Sequence, residues 1–176
     1  MSIPRTTMPL LTLLFVVVGS PVSLAGAPSC DGLSWPLETE RIAFSRPDLV
    51  SANAGGVLTP DVANAFELLL AARGTATRAI EPTGKPKLDA AQTFEGTVSV
   101  DNVLGQGAIQ VTLADEGWID VVQRGKALPA VAHTGSKSCP GIRKSVKFMV
   151  DPGPFVVQVT GATTSKLKVS IRRVGE

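Results

Sequence analysis

The sequence predicts a mostly β protein, an antiparallel β-sandwich or jelly roll of about seven or eight strands with one short N-terminal helix. Three observations predict it. From Thr93 onward the apolar residues recur with a period of two. Turn-forming clusters punctuate that stretch: Asp115-Glu116-Gly117, Asp151-Pro152-Gly153-Pro154 and Gly161 to Ser165. No helical pattern separates the later strands, so a parallel α/β sheet is not expected.

The elements follow in chain order. Arg5, the apolar run Leu10 to Val18, the breakers Gly19, Ser20 and Pro21, and Ala25-Gly26-Ala27 form the pattern of a secretory signal over residues 1–27, cut after Ala27. The apolar run is too short to anchor the chain in a bilayer. Pro28-Ser29 before Cys30 is not the small-residue signal of a lipoprotein. No later stretch is long and apolar enough to predict a transmembrane segment. Residues 28–176 are expected to form a single periplasmic or secreted domain, long enough for a sizeable core. Cys30 and Cys139 are the only cysteines, and in an oxidising compartment they are expected to bond. Such a bridge closes a long loop and is worth about 4–5 kcal/mol in the chain-entropy view.

Ser34 to Arg46 reads as the helix. Ser34 can cap it, Pro36 suits the first turn, and Glu38 and Glu40 suit its positive end. Leu37, Arg41 and Phe44 share a face with Ile42 nearby, and Pro47 ends the run. A helix laid over a sheet edge accounts for this pattern. Ser51 to Leu58 reads as a loop. Val62 to Arg73 fits a helix through Val62, Phe66, Leu69 and Leu70, or a strand through Phe66, Leu68 and Leu70; the β character of the rest favours the strand. Glu81 to Ala91 reads as a loop. Phe94, Gly96, Val98 and Val100 then alternate with polar residues. Ile109, Val111 and Leu113 lead through a turn to Trp118–Val122, a predicted hairpin. Val146, Phe148 and Val150, then Phe155, Val157 and Val159, then Leu167, Val169 and Ile171 complete the set. Each strand has one apolar and one polar face, as antiparallel strands with a single buried face do.

Charge is unevenly spread. Residues 28–123 hold 13 acidic and 6 basic residues, whereas residues 124–176 hold 2 acidic and 10 basic. Lys147 and Lys168 alternate with apolar neighbours and are expected to face solvent. The basic strands could form a face for an anionic ligand or an envelope protein. They could equally pair with the acidic N-terminal half across strands. Nucleic acid is not expected, because the basic residues lack interleaved aromatics.

Candidate chemistry is thin. His133 is the only histidine, so neither a two-histidine iron site nor a three-histidine zinc site can form within one chain. It reads as a loop histidine bonded to backbone near Cys139, or as a catalytic base with Asp120 or with Ser136, Ser138 or Ser145. None of these serines lies in a Gly-x-Ser-x-Gly elbow. Trp118 and Asp120 share one strand face, with Ile119 and Val121 on the other. An outward pair could bind a polar ligand, with Arg143 and Lys144 as further ligand-binding candidates. An inward pair would leave Asp120 needing a donor such as Arg143 or a backbone amide. No metal site and no cofactor is predicted.

The runs Cys30-Asp31-Gly32-Leu33-Ser34-Trp35, Trp118-Ile119-Asp120-Val121-Val122, Ala132-His133-Thr134-Gly135 and Cys139-Pro140-Gly141-Ile142-Arg143-Lys144-Ser145-Val146 resemble a family of small secreted proteobacterial proteins of unknown function, over nearly the whole domain. Some members are labelled homogentisate 1,2-dioxygenase. That label implies a larger cupin with two histidines and a glutamate on iron, against the single His133 here. Gly107 to Val111 and Gly153 to Val157 are similar to strands of bacterial pre-peptidase C-terminal β-sandwiches. The expectation is a non-enzymatic binding or envelope-accessory module. A hydrolase using His133 is the alternative, and a dioxygenase a remoter one.

Overall fold

Alternating apolar side chains need a partner surface, and here two sheets supply one to each other. A computed structural model describes residues 30–59, 61, 64–84, 92–101 and 105–175. The predicted signal and residues 85–91 of the predicted loop lie outside the described residues. The first sheet contains β1 (Val50–Asn53), β3 (Phe66–Leu69), β12 (Lys166–Arg173), β6 (Gly107–Leu113), β10 (Lys144–Val150) and β9 (Ala130–Gly135), in that order. The second contains β2 (Gly56–Leu58), β5 (Phe94–Val100), β11 (Phe155–Ala162), β7 (Trp118–Gln123) and β8 (Lys126–Ala127), with β4 (Ala71–Ala72) beside β5. Phe66, Leu68, Val98, Val111, Leu113, Val121, Val157, Leu167 and Val169 are buried between them. The predicted mostly β sandwich with one short helix is thus the fold among the described residues, which hold twelve strands where seven or eight were expected.

Two of the additional strands, β1 and β2, come from Ser51 to Leu58, which is not a loop. Its residues favour strands weakly, but tertiary pairing overrides propensity. β1 pairs in parallel with β3, and β2 in parallel with β5, so the sheets are mixed. Ala54-Gly55 hands the chain from one sheet to the other at this corner. There the Gly55 amide donates to the Thr97 carbonyl at 2.7 Å, with φ at 84°, a conformation that glycine adopts without strain. Val62 to Arg73 contains strands β3 and β4, as the alternation of Phe66, Leu68 and Leu70 favours.

The predicted hairpin of Ile109–Leu113 with Trp118–Val122 is corrected. β6 and β7 lie in different sheets, so the turn at 115–117 crosses the sandwich instead of closing a ladder. Both strands carry one apolar face, and facing each other across the core buries those faces as a hairpin in one sheet would not. The links β10 to β11 and β11 to β12 cross in the same way.

A second correction concerns the polar faces, which are not open to water. Helix α1 (Glu38–Phe44) and the chain before it cover the outer face of the first sheet. The helix is shorter than predicted. Leu37 holds the N-cap position without a side-chain cap, while the Ser34 amide donates instead to Thr134 Oγ1 at 2.8 Å. Leu37 and Phe44 pack with Cys139 and Ile142 in a small second core, but Arg41 and Ile42 face outward. Cys30 and Cys139 are bonded, as expected. Glu40, fully buried, accepts from Gln110 Nε2 at 2.6 Å and from the Arg172 guanidinium. Lys168 and Lys147 are therefore not solvent-facing as predicted. Lys168 Nζ donates to the Phe44 carbonyl at 2.7 Å, and Lys147 Nζ lies 4.4 Å from the Trp35 ring centroid.

The second sheet has a cover too, formed by residues 73–84. Glu95 Oε1 accepts from the Gly74 amide at 2.9 Å, and Glu95 Oε2 from Arg78 Nη2 at 2.8 Å. This hydrogen bond raises the Arg78 guanidinium above its ordinary value. Gln158 accepts from the Ala79 and Ile80 amides at 2.8 and 3.2 Å and donates to the Ile80 carbonyl at 3.1 Å.

Candidate functional site

The sandwich is open along one side, where β8 ends the second sheet and β9 ends the first. β8 pairs only with Val122 and Gln123, so the first half of β7 has no strand beyond it on that side among the described residues. A cleft of ≈ 180 Å³ lies there, lined by Trp118, Ile119, Ala130, His133, Lys144 and Val146. Ile119 and Val146 are buried, so the floor is apolar. Lys144 Nζ lies 5.1 Å from the Trp118 ring centroid and donates to the Gly117 carbonyl at 2.9 Å. A cation over an indole is a favourable pairing.

His133 is not in a loop. It belongs to β9, opposite Val146, and is exposed. None of its side-chain atoms is hydrogen-bonded among the described residues. Ser145 is buried on the opposite sheet face against Thr112 Oγ1 (2.8 Å), and Ser136 pairs with Ser138 at 3.1 Å. No serine–histidine pair is formed among the described residues.

Trp118 and Asp120 point outward on β7, with Ile119 and Val121 in the core. The carboxylate is buried nonetheless, because the cover closes over it. Asp120 Oδ1 accepts from Thr83 Oγ1 at 2.5 Å and from Trp118 Nε1 at 3.0 Å; its Oδ2 accepts from the Thr83 amide at 3.4 Å. Arg143 is not its donor, since it binds Glu116 (2.6 Å from Nε) and the Ser136 carbonyl (3.4 Å). Gly84 lies flat on the Trp118 ring; a Cβ there would sit 2.3 Å from the indole, so only glycine fits. Asp120 therefore fixes the indole and leaves its outer edge to the cleft. Of the predicted site residues, the fold brings Trp118, Lys144 and His133 together and directs Asp120 and Arg143 to internal partners.

Sequence reasoning did not find Ile119, Ala130 and Val146 as lining residues, nor Thr83 and Gly84 as clamps. Their sequence signals are those of ordinary strand and loop residues. Elsewhere the basic strands do not form one face. Arg172 meets Glu40, Arg143 meets Glu116, and Arg124 meets Asp151. A larger cleft of ≈ 670 Å³ beside α1 mixes Arg41, Lys166 and Lys168 with Glu67 and Asp115. Among the described residues no group of three or more His, Cys, Asp or Glu could hold a metal, and no helix is long and apolar enough to cross a membrane. Comparison with protein-family models, curated proteins and solved structures finds no match to the chain.

Proposed function

We propose that the chain is a periplasmic or secreted non-enzymatic binding module, an accessory of the cell envelope whose ligand is an apolar anion-bearing group seated between β7 and β9. The observation that carries this reading is the composition of the cleft. Its walls are an indole, an imidazole and aliphatic side chains, its rim holds an ammonium, and among the described residues no carboxylate lines it. Apolar lining with few polar groups is what recognition clefts share. The internal engagement of Asp120 supports a binding role over a hydrolytic one, since a base needs an acid or a nucleophile within reach. The likeness to small secreted proteobacterial proteins agrees with export, as does the disulfide.

Anilinonaphthalene sulfonate, an apolar anion, tests the reading with the chain from Pro28. Saturable binding weakened several-fold by Lys144→Met is expected. Binding indifferent to that change contradicts it. A panel of ester and glycan substrates should give no turnover; turnover abolished by His133→Ala would favour a hydrolase instead.

A further inference from the structure

We infer that the cleft receives an extended acidic peptide, added as a further strand to the edge of β9 that has no partner strand among the described residues. The inference rests on the binding reading above and names its ligand class. β9 is a strand of six residues at the end of the first sheet, and Ala130-Val131-Ala132-His133-Thr134-Gly135 holds no lysine, arginine, carboxylate or proline. Strand edges left open in this way are templates for another chain, and proteins that do not use them interrupt them with charges or proline. Val131 is 55% exposed on this edge.

The backbone register says which groups are offered. The Ser136 amide donates to the Arg143 carbonyl at 3.2 Å, and β9 continues antiparallel to β10. Backbone groups alternate in such a ladder. Thr134 and Ala132 therefore turn their amides and carbonyls to β10, whereas His133 turns its own away, to the open side. An added strand bonds to His133 there and sends alternate side chains over the cleft.

Charge selects the occupant. Among the described residues Lys144 is the one charged side chain that lines the cleft, and the exposed Lys126 and Lys137 stand four residues before and two after β9 in the chain. The nearby Glu116 is held by Arg143 at 2.5 Å. An acidic partner strand is attracted to this edge, while a second copy would bring the same basic residues to it. The peptide is thus one with an apolar side chain for the Trp118–Ile119–Val146 floor and a carboxylate for Lys144.

A displayed library of random linear peptides, panned on the chain from Pro28, tests the inference. Enrichment of sequences that join apolar and acidic residues at alternate positions is expected. Synthetic peptides from that pool should bind His133→Pro about tenfold more weakly than His133→Ala, because the proline removes an outward backbone donor that alanine keeps. Proline is tolerated at an outward-facing edge position, and an unchanged circular dichroism melt confirms a folded variant. No enrichment, or equal weakening by proline and alanine, overturns the strand-addition account. So does a self-association that His133→Pro abolishes, which would assign the edge to a second copy. Sulfonate binding without peptide enrichment leaves the binding module standing and removes only its peptide ligand.

Discussion

The two outer faces of the sandwich are covered by different means, although each hides a glutamate paired with an arginine. Over the first sheet, residues 30–45 bring a helix, a small apolar core and a covalent tie between Cys30 and Cys139. Over the second sheet, residues 73–84 bring no regular structure and no covalent tie. That cover is held by side chains rising from three strands: Glu95 from β5, Gln158 from β11 and Asp120 from β7. Gln158 sits between Thr97 and Asp120 in register, so the holding groups lie across the sheet in one band. The difference teaches that apolar burial fixes one cover and backbone hydrogen bonding the other. It also explains the position of the cleft. With both flat faces closed, the open β7–β9 side is where the molecule presents an indole, a lysine and a strand edge unpaired among the described residues.

The largest expected effect breaks the first cover. The disulfide spans 109 residues of sequence, so Cys139→Ser should cost about 4–5 kcal/mol, read as a drop in melting temperature that reductant produces in the wild type and not in the variant. A melting temperature that neither change moves would remove the covalent tie from the account.

Next come the two buried ion pairs, which test whether the covers share one device. Arg172→Met and Arg78→Met each leave a buried glutamate without its cation and should each cost roughly 3 kcal/mol in denaturant unfolding. The guanidinium groups are similarly shielded, with side chains 28% and 26% exposed, so costs that differ widely would show that the devices are not equivalent.

Gln158→Ala isolates the second cover. It strips the Ala79 and Ile80 backbone groups of their partners and should cost about 1–3 kcal/mol. Amide exchange should quicken at residues 79–80 and stay unchanged in residues 38–44. Faster exchange in both covers would contradict their independence.

About half of this arrangement was legible in the sequence. The period of two located β5, β6, β7, β10, β11 and β12 and the inward positions of all but β7, whose two faces it left open, because burial of one face leaves that pattern. The disulfide followed from the cysteine count and the expectation of export. What the pattern hides is what lies on the polar face. Gln110, Thr112, Ser145 and Ser170 alternate like solvent-facing residues, yet all are buried under the first cover. A polar residue that meets a matched partner is indistinguishable in sequence from one that meets water. The same ambiguity concealed the Asp120–Thr83 clamp, whose partners are 37 positions apart. It also led Ser51 to Leu58 to be read as a loop, since parallel pairing depends on distant segments. Trp118, His133 and Lys144 stood out by residue type; that they share a cleft depends on the crossing of β6 to β7, which alternation does not specify.

The smallest effect concerns the exposed edge of the first cover. A hydrogen bond from Arg41 holds the Glu38 carboxyl below its ordinary range, and one from Arg46 does the same for Asp48. A carboxylate lowered in the folded state stabilises it above its unfolded value, and that contribution is lost as pH falls through the lower, folded value. Both pairs are exposed and screened, so Glu38→Gln and Asp48→Asn should alter acid unfolding only slightly. A large shift of the acid transition in either variant would mean that this edge bears more of the first cover than the geometry gives it.

The central claim is that ligands meet this molecule at the open β7–β9 side, and an amide chemical-shift map tests it most directly. On titration with anilinonaphthalene sulfonate, the perturbed amides should cluster at 118–119, 130–133 and 144–146. Perturbations centred on the larger cleft beside α1, at residues 41–45 and 166–168, would contradict it.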